Sequence, residues 1–200
     1  MTPPFSQNNE DKIFSIIVYQ RYPIADLNSP SGSALVTKCR SHLTATGLCL
    51  LPGFIQDSSL ARMQEDARSH LSGAYHNEHW RSSPNGTDAT PDSMLEEKTR
   101  ASMSCIGFDQ LSDDAPLRLL YLSAELTAFV NAITDGPRLF ITSDTVVSCM
   151  QTVMRENDEL GWHYDPNDIV VSLGLQQPDA GGEFEFVHNV RSPAPNAIEN

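Results

Sequence analysis

The sequence predicts an α+β fold, and three observations carry that expectation. Apolar residues recur at helical spacing, with capping residues at their ends, between Ser33 and Gly136. After Pro137 the texture changes to short runs of β-branched and aromatic residues. Helices first and strands afterwards segregate the two element types, unlike the alternation of a parallel α/β sheet. With 200 residues and 40% hydrophobic content the chain is long enough for one sizeable core, so one domain is expected.

Residues 1–11 are polar and contain prolines, which predicts a loosely attached tail. Residues 13–19 are rich in β-branched and aromatic side chains and form a candidate strand before Pro23 and Pro30 interrupt it. This places a tail and possible strand at 1–21 and the main domain at 22–200. Ser33, followed by Ala34, Leu35, Cys39 and Leu43 and closed by Gly47, predicts a helix with a serine N-cap and a glycine stop. Residues 48–51 form a short apolar strand candidate ended by Pro52-Gly53. Asp57 then opens a second helix to about Ser72, supported by Leu60, Met63, Ala67 and Leu71.

Between Trp80 and Glu97 the composition of Ser, Pro, Asn, Gly, Thr and Asp predicts a loop or lid. Pro116 at a first-turn position starts a helical stretch that runs through Leu119, Leu126, Phe129 and Ile133 to Gly136, with a break expected near Ser123. Four strands are expected afterwards, at 139–141, 146–154, 169–175 and 183–187. The charged run Arg155-Glu156-Asn157-Asp158-Glu159 between the second and third of these predicts a polar turn.

The formal net charge of −13 argues against nucleic acid or an anionic membrane surface as a partner. The four cysteines have no CxxC spacing and no dense pattern of a disulfide framework, which fits a reducing compartment. Residues 1–10 lack a positive region followed by an apolar one, and no run approaches the ~18 apolar residues of a membrane span, so a cytoplasmic protein is expected.

The residues that bear most directly on chemistry lie in Gly161-Trp162-His163-Tyr164-Asp165. In a strand, His163 and Asp165 share a face because side chains alternate with a period of two. One imidazole and one carboxylate are two thirds of the facial triad that holds Fe(II) while leaving positions open; the alternative is a buried hydrogen-bonded His-Asp pair. His76 and His79, three apart, could share a helical face as a separate metal site, although they lack HExxH spacing and adjoin loop-like sequence. His42 and His70 carry no assigned role, and Glu183 and Glu185 read as exposed positions of a strand. No GxSxG, Walker or GxGxxG pattern is present.

Together with the 169–176 run, Gly181-Gly182-Glu183-Phe184-Glu185-Phe186-Val187 and Asn189-Val190-Arg191, this motif closely resembles the Fe(II)/2-oxoglutarate-dependent oxygenases related to the free-amino-acid (lysine) halogenases and their hydroxylase relatives. Upstream, Thr46-Gly47-Leu48-Cys49-Leu50-Leu51-Pro52-Gly53-Phe54 and the 115–129 helical segment are similar to the same family. The resemblance spans about Tyr22 to Arg191 and is most specific from His163 onward. It implies a distorted double-stranded β-helix, a jelly-roll barrel with flanking N-terminal helices, Fe(II) as the metal and 2-oxoglutarate as co-substrate.

The resemblance further implies His163 and Asp165 as the first two iron ligands. Halogenase members carry Gly or Ala where Asp165 stands, so the carboxylate implies a hydroxylase acting on a free amino acid or similar small polar substrate. Arg100 falls near the family's Arg that grips the substrate carboxylate, a role its bidentate fork suits; read from its neighbours alone it is a solvated Arg. The family's distal His and the Arg for 2-oxoglutarate lie on later strands, and the 192–200 stretch holds neither. His188, beside the turn sequence, does not take the distal position. Two expectations follow. Either the chain is a fragment of a longer oxygenase, or it is a degenerate, non-catalytic relative that keeps the fold as an interaction or remnant module. In both, weak Fe(II) affinity and little turnover are expected, and the barrel would lack its closing strands, leaving exposed edges.

Overall fold

The computed structural model describes residues 15–81, 99–134, 136–163, 165, 167 and 169–188. The expected N-terminal tail, most of the expected 80–97 loop and the end after His188 lie outside them. The chain divides into two units, one from 15–56, 123–140 and 176–188 and the other from 57–122 and 141–175.

In the first unit Ile17 bridges Ile55 in antiparallel fashion. Val18 N donates to Phe54 O at 2.9 Å and Gln56 N to Ile16 O at 2.8 Å. Of the strand expected at 13–19, residues 15–19 contribute only this bridge and residues 13 and 14 lie outside the described residues; the strand expected at 48–51 does not form. The pairing draws Ile16, Ile17, Tyr22, Ile24 and Ile55 into the interior. Helix α1 (Pro30–Thr46) begins earlier than expected, because Ser29 rather than Ser33 is the N-cap. Ser29 Oγ accepts from Gly32 N at 3.1 Å, and Pro30 stands at the first turn, where its missing N–H costs nothing. Gly47 closes the helix as expected, at φ 73°, with its N–H on Leu43 O at 2.8 Å. Helix α4 (Ala124–Ile133) also belongs to this unit and buries Phe129 and Ile133. Arg40 Nε of α1 donates to Ala132 O of α4 at 2.6 Å.

The second unit holds helix α2 (Asp57–His70), helix α3 (Pro116–Tyr121) and a four-stranded sheet. The expected break near Ser123 is real: α3 ends at Tyr121, and Ser123 Oγ caps α4 by accepting from Leu126 N at 3.1 Å. Strands β1 (Tyr75–Arg81) and β2 (Thr99–Ile106) pair antiparallel along all of β1, with Glu78 opposite Ser102 and Trp80 opposite Arg100. On the other edge of β2, β3 (Gln151–Val153) pairs with Ser104–Ile106 and β4 (Glu159–Leu160) with Ala101–Ser102. Residues 154–158 lie between these two pairings and form a turn, with Asn157 at φ 67°. This is the polar turn expected from the charged run.

The architecture is α+β with a small antiparallel sheet, and most of its strand content comes from 75–81 and 99–106 rather than from the segments after Pro137. Of the four strands expected there, only part of 146–154 enters the sheet. Residues 139–141, 169–175 and 183–187 form no ladder. Phe140, Val170, Val171, Phe184 and Val187 are each more than half exposed. Strand propensity is realised only against a partner edge, and among the described residues these segments have none.

Candidate metal centre

Strand β2 and the turn beside it position the Gly161–Asp165 motif. Gly161 N donates to Arg100 O at 2.8 Å, extending the β4 pairing by one residue. Thr99 Oγ1 then donates to Trp162 O at 3.1 Å. The approach is so close that a Cβ on Gly161 would lie 2.7 Å from Thr99 Cβ and 3.0 Å from Arg100 O. Glycine is the side chain that fits, and it brings His163 to the N-terminal end of β2, within two residues of the point facing Arg100.

His163 and Asp165 are brought together: Nε2 of His163 lies 3.3 Å from Oδ1 of Asp165, with the side chains 25% and 55% exposed. The other ring nitrogen, Nδ1, lies 2.9 Å from Gly161 O. A carbonyl oxygen can only accept, so Nδ1 carries a proton and donates. In the neutral imidazole Nε2 then holds a lone pair, and it faces a carboxylate oxygen, a second acceptor. Two acceptors at this distance need a cation between them or a proton on one. A divalent metal fits: ligand atoms ~2.1 Å from a metal and at right angles are about 3 Å apart. The Nδ1–H to carbonyl bond is also the outer contact that usually fixes a metal-bound His. The pair supplies one nitrogen and one oxygen donor side by side, and among the described residues no set of three His, Cys, Asp or Glu side chains converges.

Arg100 lies on β2 beside this point, its side chain 27% exposed. Nε donates to Glu78 Oε1 at 3.0 Å and Nη1 to Asn157 O at 2.7 Å, so it is held by two neighbours rather than solvated alone. Ser102 Oγ donates to Asp158 Oδ1 at 2.5 Å, and Arg155 N to Asp158 Oδ2 at 2.8 Å. The Ser102 hydroxyl, then the Arg155 amide, hold the Asp158 carboxyl below the usual carboxylate range.

The separate His76/His79 site does not form on a shared helical face. Both stand on β1, where residues three apart point to opposite faces. His76 Nδ1 instead lies 3.2 Å from Ser104 Oγ across the sheet. His70 Nδ1 is 2.7 Å from Asp66 O at the end of α2. His188 lies in the other unit against Gly47. Burial raises the thiols of Cys105 and Cys149. It also pushes Cys39 up to about 12, helped by hydrogen bonding to Cys49.

Sequence reasoning missed Glu78, Ser102 and Asp158. The signal for β2 was present: Ala101, Met103 and Cys105 alternate with Arg100, Ser102 and Ser104. That period of two is muted by its serines. The sequence matches no protein-family model, and no curated protein or solved structure matches it.

Proposed function

We propose that the chain is an Fe(II)/2-oxoglutarate-dependent oxygenase-like protein, a hydroxylase of a free amino acid or similar small polar substrate, built on a jelly-roll-like β core. The observation that carries this is the facing of His163 Nε2 and Asp165 Oδ1 at 3.3 Å, with Nδ1 committed to Gly161 O. Fe(II) held there, with 2-oxoglutarate and O2, would supply the oxidising chemistry for an unactivated C–H bond. The chain's own residues bind and orient. His163 and Asp165 would hold the metal through one nitrogen and one oxygen donor. Arg100, beside the motif, offers the remaining N–H donors of its fork to a substrate carboxylate.

The test is an anaerobic addition of Fe(II) and 2-oxoglutarate, followed by O2. A visible charge-transfer band and succinate release in the natural chain, both absent in Asp165→Ala, support the proposal and overturn the expectation of weak Fe(II) affinity and little turnover. Silence in both proteins favours the second reading, a non-catalytic relative that keeps the fold as an interaction or remnant module, with His163 and Asp165 a structural pair. That reading is favoured by the same 3.3 Å contact.

A further inference from the structure

We infer that strand β3 has a second register, slipped by one residue against β2, in which Met150 instead of Gln151 stands opposite Ile106. In the register described above Gln151 pairs with Ile106, Thr152 with Cys105 and Val153 with Ser104. Direct partners in an antiparallel ladder share a face, so Gln151 lies on the face of Ile106 and Ser104, both of them buried. Gln151 is itself only 4% exposed, and neither Oε1 nor Nε2 of its side chain has a hydrogen-bond partner among the described residues. A carboxamide closed off from water without partners is a cost that native interiors ordinarily avoid. The methionines of the same segment show the reverse, with Met150 50% exposed and Met154 47%.

Because side chains alternate, moving a strand by one residue exchanges its two faces. In Met150-Gln151-Thr152-Val153 that exchange keeps the shape of the buried face and corrects its polarity. Met150 takes the place of Gln151 opposite Ile106. Both side chains are unbranched and similar in length, so an apolar thioether fills the space of the unpaired amide. Thr152 takes the place of Val153 opposite Ser104; it has the same branched shape, and its hydroxyl meets a serine hydroxyl across the ladder. Gln151 moves to the outer face, opposite Cys105, where water satisfies its amide. Val153 leaves the ladder in return and joins the 154–158 turn. Few contacts oppose the change, since three residue pairs hold β3. Strand β4 is tied separately, through Glu159, Leu160 and the Gly161 N–H on Arg100 O at 2.8 Å, so the slip is taken up in the turn between the two strands. That turn supplies Asn157 O to Arg100 and Asp158 to Ser102. The register of β3 is therefore felt at the end of the sheet that carries His163.

Disulfide trapping in the full chain reads both registers at one position of β2. Thr152→Cys places a thiol opposite Cys105 in the described register, and Gln151→Cys does so in the slipped one. Each variant is oxidised with diamide, which takes up the two thiol hydrogens as the S–S bond forms, and the bridge is located by peptide mass mapping. Both are expected to form the bridge to Cys105, at rates within about 10-fold of each other, the ratio for two registers close in free energy. Met150→Gln changes an exposed side chain in the described register. It is expected to slow the Gln151→Cys bridge by about 10-fold or more, because slipping then buries an unpaired amide again, and not to slow the Thr152→Cys bridge. A bridge in Thr152→Cys alone, or a Gln151→Cys bridge that Met150→Gln leaves unchanged, overturns the inference. Where neither variant forms a bridge, methionine-methyl NMR of the natural chain decides. Two signals for Met150, reduced to one in Gln151→Leu, support the second register, and one sharp signal overturns it.

Discussion

A methyl group on Gly161 would sit 2.7 Å from Thr99 Cβ and 3.0 Å from the Arg100 carbonyl, and the carbonyl belongs to backbone that cannot swing aside. Gly161→Ala is therefore expected to cost about 1–3 kcal/mol as overpacking and to pull His163 away from β2. Gly174→Ala, which meets nothing within 4 Å, should be close to neutral. Comparing the two by chemical denaturation, with metal binding measured alongside, separates a local steric role from a general intolerance of alanine. Asp158 gives a pH signature. Its folded pKa is depressed, so its contribution is present above the ordinary carboxylate pKa of about 4 and is lost as pH falls through the lower folded value. The stability difference between the natural chain and Asp158→Asn is expected to shrink as pH drops from about 5 toward 3. A difference that stays constant across that window would contradict the Ser102 and Arg155 ties.

Among the elements, helix caps follow short-range chemistry and are the easiest to test. Ser123→Ala removes the side-chain acceptor for Leu126 N at a buried position, and a loss of about 1 kcal/mol of stability is expected. Local signals of this kind explain what was legible in the sequence. Gly47 as a helix stop, Pro116 as a helix start, the break at Ser123 and the turn at 155–159 are each decided by residues within one turn of them. The start of α1 was misplaced because Ser29-Pro30 and Ser33 offer competing caps four residues apart, and the Pro30 ring suits the earlier one. Strands were misplaced for a different reason. Tyr75–Arg81 is polar and carries little strand signal but finds a full-length partner in β2, whereas 169–175 is apolar and finds none among the described residues. Pairing across distant segments is what propensity cannot see. At the site, the spacing of His163 and Asp165 was legible because they are neighbours in sequence. Glu78 and Asp158 were not, because only the β1–β2–β4 register brings them around Arg100.

For the molecule as a whole, two opposing terms are set by the same sequence. Phe140, Val147, Val170, Val171, Phe184 and Val187 are each more than half exposed, and the Phe184 and Phe186 rings stack at 6.0 Å. Exposed apolar surface of this kind favours association. A net charge of −13 opposes it by repulsion between copies. Salt screens the second term and leaves the first, so association measured by light scattering is expected to rise between low salt and about 0.5 M. The double substitution Val171→Lys and Phe184→Lys should suppress that rise, and a monomer at every salt concentration would contradict it. The proposed function rests on a narrower point, that His163 and Asp165, 3.3 Å apart, serve together as ligands of a divalent cation. An anaerobic titration with Mn(II), read as loss of the free-ion electron paramagnetic resonance signal, tests it most directly. Saturable binding by the natural chain, lost in both His163→Ala and Asp165→Ala, is the expected result; binding unchanged in either variant, or absent from the natural chain, would contradict the metal centre.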